Sequence, residues 1–330
     1  MERGACDMRR LGADLLLGAV TLFWGITFVY VKAAIETVGV FVFLSQRFGL
    51  AFGIICVICL FRKGVVTRQT LIHGAVLGLF LFGSFAFQTM ALLFTTASNA
   101  AFLTGLNVVL VPVIGAVIFR QVIDATMTLG VVLAAVGLFC LCTDGTWCFN
   151  GGDVLAGMCA VCVALHVIFT GEYAHTDDIY WLTAFQLAVV TCMSNVVAWC
   201  VGDGAAVFVW YPGIFTALVI CVLFATVFAF LTQTAMQRFT SPAHTALIFC
   251  MEPVFAALFA YLMIGERWTV WGYTGAGLIL AGMIASELSP HTPLTGARSN
   301  TASNDAAGHS SVPKSKASPG CEQPDVVNSI

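Results

Sequence analysis

The sequence is short of charge and carries no recognisable catalytic signature. Asp, Glu, Lys and Arg make up 9% of its 330 residues, where an ordinary globular chain has about 25%. A soluble globule of this size needs far more polar surface to face water. A soluble enzyme, a nucleic-acid binder and a disordered protein are therefore poor fits. The formal net charge of −3 is too small to imply a polyanionic partner. An intramembrane enzyme would need a clustered constellation such as HExxH, GxSxG with a histidine, or paired aspartates within spans, and none is present. There is no Gly-rich phosphate loop, so the chain cannot drive itself with ATP. No metal site or cofactor is expected.

What the chain has instead is apolar length. Hydrophobic residues make up 59% and the mean hydropathy is +0.95, which points to a polytopic membrane protein facing lipid. A spanning helix needs about 20 apolar residues. Ten segments qualify, near 11–33, 39–61, 71–93, 98–119, 127–143, 152–171, 180–201, 213–236, 242–264 and 268–288. The connections between them are short and leave no room for a soluble domain. Outer-membrane strands would alternate rather than run continuously apolar. The run from Leu11 to Val31 is longer than a signal-peptide core and has no A-x-A-type cleavage site, so it is read as a span.

Thirteen cysteines do not make a disulfide scaffold, because most lie inside apolar runs. Cys56/Cys59 and Cys159/Cys162 stand at helical i,i+3 spacing without a basic cluster and read as soft packing residues. Cys142 and Cys148 flank a loop, and a pairing there is not expected.

Lys and Arg in the loops set the orientation. With the N-terminus inside, the inner loops hold Arg3, Arg9, Arg10, Arg62, Lys63, Arg68, Arg120 and Arg238, and the outer ones only Lys32 and Arg267. Both termini are thus expected in the cytoplasm. The connection around Glu172, Asp177 and Asp178 lacks Lys and Arg and orients the middle of the chain less firmly. Residues 289–330 are rich in Ser, Pro, Asn, Gly and Ala. Such a segment buries too little to offset chain entropy, so a disordered cytoplasmic tail is expected.

The halves repeat. An offset of 145 brings Gln88-Thr89 onto Gln233-Thr234, Phe94-Thr95 onto Phe239-Thr240, Gln121 onto Glu266, Gly130 onto Gly275, Gly137 onto Gly282 and Asn107 onto Glu252. An offset of 139 brings Gly12, Asp14 and Gly18 onto Gly151, Asp153 and Gly157. Five spans per half is an odd number, so the second half enters from the opposite side. The expected fold is an all-α integral membrane protein, with ten transmembrane helices in a 5+5 inverted-topology repeat. The halves are 1–143 and 144–288, and such repeats hold a substrate site near mid-membrane between them.

The run Phe239-Thr240-Ser241-Pro242-Ala243-His244-Thr245-Ala246-Leu247-Ile248-Phe249-Cys250-Met251-Glu252-Pro253-Val254-Phe255 resembles the second-half signature of EamA-type proteins in the drug/metabolite transporter superfamily. Leu262-Met263-Ile264-Gly265-Glu266-Arg267 continues it, as do Phe23-Trp24-Gly25 with Lys32 following, and Gln46-Arg47-Phe48. The resemblance covers about residues 11–288. It implies ten helices in an inverted repeat, cytoplasmic termini, and export or exchange of small metabolites. The first half departs from the pattern, with Asn107-Val108 where the second has Glu252-Pro253.

Polar groups in lipid need a partner or a job, since a mid-helix charge costs roughly 2.5–3.5 kcal/mol to insert. Glu252 lies ten residues into its span, about 15 Å along the axis at 1.5 Å per residue, in a core about 30 Å thick. Pro253 cannot donate to the Phe249 carbonyl, so a kink with a free acceptor is expected beside that carboxylate. Glu252 reads as a proton or cation site, or as a structural carboxylate paired with Arg47. Arg47 reads as a substrate-carboxylate site or as that ion pair. Asn107 either donates to substrate or bridges helices, and Pro112 should free the Val108 carbonyl. Gln88 and Gln233 suit a polar pathway or interhelical bonds. His166, opposite Thr27 by repeat, is a proton relay or a hydrogen-bonded core histidine. Trp24 and Tyr30 line a cavity or pack. Lys32 reads as a snorkelling end-of-helix lysine, and Glu266-Arg267, followed by Trp268, as a cap. Ser45, Gly49, Gly53, Gly74 and Gly78 permit close helix approach, static packing being the default.

The expected function is secondary transport of a small organic metabolite, amino acid or drug-like molecule by alternating access, directed outward across the plasma (bacterial inner) membrane. The alternatives are a non-transporting sensor or scaffold and an uncoupled channel. The expected partners are the small-molecule substrate, membrane lipid and a proton as coupling ion, without nucleic acid; a homodimer stays open.

Overall fold

The computed structural model describes residues 2–62, 64–91, 93–94, 97–120, 124–142, 150–202, 212–265 and 269–287. The expected tail, Cys148, Gln121, Glu266-Arg267 and Trp268 fall outside the described residues, and so do the side chains of Lys32 and Cys142.

All described regular structure is helical: α1 (Glu2–Val38), α2 (Val40–Phe61), α3 (Arg68–Ala91), α4 (Ala97–Gly105), α5 (Asn107–Phe119), α6 (Ala125–Cys142), α7 (Gly151–Tyr173), α8 (Ile179–Val201), α9 (Pro212–Val222), a π-helical turn (Leu223–Phe228), α10 (Ala229–Met236), α11 (Pro242–Phe249), α12 (Met251–Ile264) and α13 (Val270–Glu287). Among the described residues, seven helical stretches are long and apolar enough to cross a membrane, and Phe102–Ile118, Ala125–Leu141 and Val270–Ser286 are shorter apolar helices. Large apolar side chains such as Leu60, Val117, Trp199, Leu262 and Ile284 face outward, as they do where lipid replaces water. The molecule is an all-helical membrane protein.

Local chemistry sets where the helices begin. Asn150 caps α7, accepting from the Gly152 and Asp153 amides, while Asp153 reaches back to the Asn150 amide in a capping box. Asp178 caps α8 through the Tyr180 and Trp181 amides. Ser241 caps α11 through the His244 amide, with Pro242 in its first turn. Gly202 ends α8 at φ 91°, a conformation open to a residue without Cβ.

Two spans are bent at one residue each, without leaving the helical region of the backbone. The fourth expected span is interrupted at Leu106, between α4 and α5, and the ninth at Cys250, between α11 and α12. The ninth breaks three residues before Pro253, which sits in the first turn of α12, where a missing N–H costs little. The fourth breaks six residues before Pro112, not at the Val108 carbonyl: Asn107 Nδ2 donates to Thr104 O (2.9 Å) and satisfies an acceptor the interruption releases.

Small residues set the closest contacts. α6 and α13 pack along their length. A Cβ on Gly137 would lie 2.6 Å from Gly275 O, and one on Gly130 2.8 Å from Gly282 O. α3 presses on α8 in the same way, Gly74 against Phe185 and Gly78 against Val189 and Gln186 O. Gly49 meets only Thr191, Gly53 meets nothing within 4 Å, and Ser45 is buried.

Candidate functional site

The polar interior is organised by one buried cation. Arg47 on α2 is 4% exposed. Its Nε donates to Thr226 Oγ1 (2.8 Å) and its Nη2 to Ala225 O (3.1 Å), both in the π turn. Trp24 Nε1 on α1 donates to the same carbonyl at 3.0 Å. A π turn widens the helix and loosens its i→i−4 ladder, which opens a carbonyl to side-chain donors. Thr226 supports it by donating to Cys221 O, five residues back (2.8 Å).

Aromatic rings wall this group. The Arg47 guanidinium lies 5.3 Å from the Phe48 ring centroid and 5.2 Å from that of Phe85, within cation–π range. Phe230 on α10 touches Trp24 (5.9 Å), Phe48 (6.3 Å) and His166 (6.0 Å), and Trp24 meets Phe249 edge-on at 5.0 Å. His166 Nε2 on α7 donates to Gln186 Oε1 on α8 at 2.8 Å.

The fold thus gathers Trp24, Arg47 and His166 around the π turn and Phe230. Glu252 lies half-buried at the start of α12, where a helix N-terminus favours an anion. No carboxylate stands within ion-pair distance of Arg47 among the described residues. The Glu252 ion pair expected as the structural role of Arg47 is not formed; the π turn, which the sequence did not announce, holds the guanidinium instead.

The remaining candidates divide. Asn107 is buried on its helix break, and its Oδ1 has no partner. Gln233 is buried and its Nε2 donates to Gln237 Oε1 (3.3 Å), while Gln237 Nε2 donates to Val167 O (3.0 Å), so the pair joins the end of α10 to α7. Its repeat mate Gln88 is half-buried on α3. Thr27 donates to Trp24 O within its own helix (2.7 Å), and Tyr30 packs against the apolar cluster of α2, α8 and α9.

Sequence reasoning missed three features. The π turn holds neither Gly nor Pro and leaves no pattern to find. Gln186 was one polar residue within an apolar run. Asp14, His244 and Ser286 meet near one end of the helices: Asp14 Oδ1 is 3.3 Å from His244 Nε2, and Ser286 Oγ is 3.5 Å from His244 Nδ1. Asp14 and His244 were both read only as marks of repeat and family.

The EamA-like transporter family model matches residues 11–143 and again 150–286. The chain belongs to the EamA-like transporter family. It is 33% identical over 292 residues to an "Uncharacterized transporter" of Archaeoglobus fulgidus, covering 87% of this chain and 89% of that one. It is 24% identical over 292 residues to the "Uncharacterized transporter YyaM" of Bacillus subtilis, covering 84% and 94%. A solved crystal structure superposes with a TM-score of 0.71 at 18% identity, covering 84% of this chain and 96% of that one, and so shares the fold. This EamA-like chain is a multi-pass membrane protein of a transporter family.

Proposed function

We propose that this EamA-like chain is a secondary carrier that moves a small organic metabolite outward by alternating access. Its ten spans form two inverted halves of five around the Arg47 site, with both termini in the cytoplasm and the chain in the plasma membrane. Glu252 carries the coupling proton and Arg47 faces an anionic group of the cargo. The reading gives no enzymatic role to the chain.

One observation carries it. The two interrupted spans resume at Asn107 and at Met251, within one residue of the offset of 145 that relates the halves. Carriers built from inverted repeats place substrate groups where helices of both halves depart from regular geometry and backbone groups border a polar cavity. The α6–α13 contact agrees: Gly130 meets Gly282 and Gly137 meets Gly275, so the helices run antiparallel, and the same offset converts one contact into the other. A two-fold axis lying in the membrane plane has this property.

The test is counterflow in proteoliposomes holding the purified chain, with a panel of small metabolites and with and without a pH gradient. A carrier exchanges labelled for unlabelled cargo, a channel passes uncoupled current, and a scaffold does neither. Glu252→Gln is expected to abolish acceleration by the pH gradient while leaving exchange measurable. Unchanged pH dependence in that variant removes Glu252 from coupling.

A further inference from the structure

Three segments meet at one end of the helices: the start of α3, the 174–178 connection between α7 and α8, and the 237–241 connection between α10 and α11. Asp177, 7% exposed, is their common point. Its carboxylate accepts from Thr70 Oγ1 (2.6 Å), His73 Nδ1 (2.6 Å) and Thr176 Oγ1 (3.0 Å). The His73 ring lies flat on Tyr173, with centroids 3.7 Å apart and planes 2° from parallel. Arg238 arrives from the third segment and donates Nη2 to Asp177 O (2.9 Å) and Nε to Ala174 O. Arg62 sits 4.0 Å over the Tyr180 ring and donates to its hydroxyl at 3.2 Å. Glu172, His175 and Asp178 flank the cluster.

The repeat supplies a comparison. Thr70 and His73 fall on Phe215 and Leu218 at the offset of 145, Arg238 falls on Leu93, and Asp177 falls on Val38 at the offset of 139. All four counterparts are apolar. The packing beside the cluster differs in the same sense. Gly74 and Gly78, which let α3 close on α8, correspond to Val219 and Leu223.

We infer that Asp177, His73, Thr70 and Arg238 form a polar latch that holds the carrier shut at this end, a cluster whose repeat counterparts Val38, Leu218, Phe215 and Leu93 carry no polar side chain. The inference rests on the carrier reading above. The latch ties the start of α3, in the first half, to two second-half loops, so it can break only when the halves separate there. Breaking it hydrates Asp177 on its loop and His73 near the start of α3, both at the end of the helices, so no ion is stranded in lipid. Burial favours the neutral form of Asp177. The bonds from Thr70, His73 and Thr176, with the charge of His73, outweigh burial and hold it below the usual carboxylate range. The carboxylate therefore stays ionised at neutral pH, and the latch opens by movement instead of by protonation of Asp177.

Hydrogen exchange of the full chain in lipid nanodiscs at neutral pH tests this. Asp177→Asn removes the charged acceptor. His73→Phe keeps the stack on Tyr173 and removes only the Nδ1 bond, so it guards against a misfolded first variant. Both are expected to speed exchange at residues 68–76 and 170–178 by about tenfold, the equilibrium counterpart of one lost charged hydrogen bond, and to leave α6 and α13 unchanged. Unchanged exchange at those segments in both variants overturns the latch. Uniformly faster exchange that includes α6 and α13 also overturns it, since the cluster would then hold the fold and not a gate. Failure of the carrier reading shows separately, as absent counterflow by the unmodified chain, and it would remove the gate with it.

Discussion

Arg47 on α2 and Thr226 in the π turn are joined at 2.8 Å through Nε and Oγ1. A cation from one half of the sequence is thereby held by a π-helical turn in the other.

Thr226→Val keeps the shape of the side chain and removes the acceptor. A buried charged donor without its partner costs about 1–3 kcal/mol, so thermal unfolding in nanodiscs is expected to begin several degrees lower. Thr226→Ser restores the hydroxyl and should restore most of the loss. Equal melting of the Val and wild-type proteins would show that the bond contributes nothing.

The α6–α13 seam gives a prediction of opposite design. A Cβ at Gly275 would stand 2.4 Å from Gly137 O and 2.5 Å from Leu141 N, and backbone cannot yield as a side chain can. Gly275→Ala should destabilise by about 1–3 kcal/mol through overpacking. Gly157→Ala, with nothing within 4 Å, should be neutral or stabilising by up to about 1 kcal/mol, since Ala is the better helix former. Melting of the pair side by side decides it.

Much of this was legible because lipid demands continuous apolar runs and continuous runs are easy to read. The interruptions beside Asn107 and Glu252 were legible from Pro112 and Pro253, though only as kinks and not at their observed residues. The π turn was invisible, since Leu223–Phe228 is as apolar and unbranched by Gly or Pro as any helix. His73 and Asp177 are 104 residues apart, and nothing local to either announces the other. Arg47 was recognised as a buried charge, but its holder is Thr226, an ordinary threonine until the helix widens around it.

Acid should loosen the latch end in two stages. Burial and the nearby Arg238 charge lower the His175 pKa, while Glu172 opposes them. The folded state therefore resists protonating His175, and stability falls as pH drops below the unfolded value of about 6.5. Asp177 is also lowered, despite burial, by its hydrogen bonds and His73. Its contribution is complete above the unfolded value of about 3.9 and is lost as pH falls further through the folded one. His175→Gln should flatten the first stage and Asp177→Asn the second, read as local exchange at 170–178 against pH. A single stage unaffected by either variant would contradict the assignment.

Asp14 and His244 offer a coupling measurement across α1 and α11. They stand 3.3 Å apart, with His244 2% exposed, and Arg10 lies 3.9 Å from the same carboxylate. Removing either partner leaves the other desolvated with part of its hydrogen bonding lost, which costs more than the pair itself contributes. Asp14→Asn and His244→Asn should each lower the midpoint of unfolding in nanodiscs. Asn is also what the first half carries at position 99, the counterpart of 244 at the offset of 145, so the second substitution makes the two halves alike there. The double variant should cost less than the sum of the singles, by about 0.5–3 kcal/mol. Strict additivity would mean that the two side chains are neighbours without being partners.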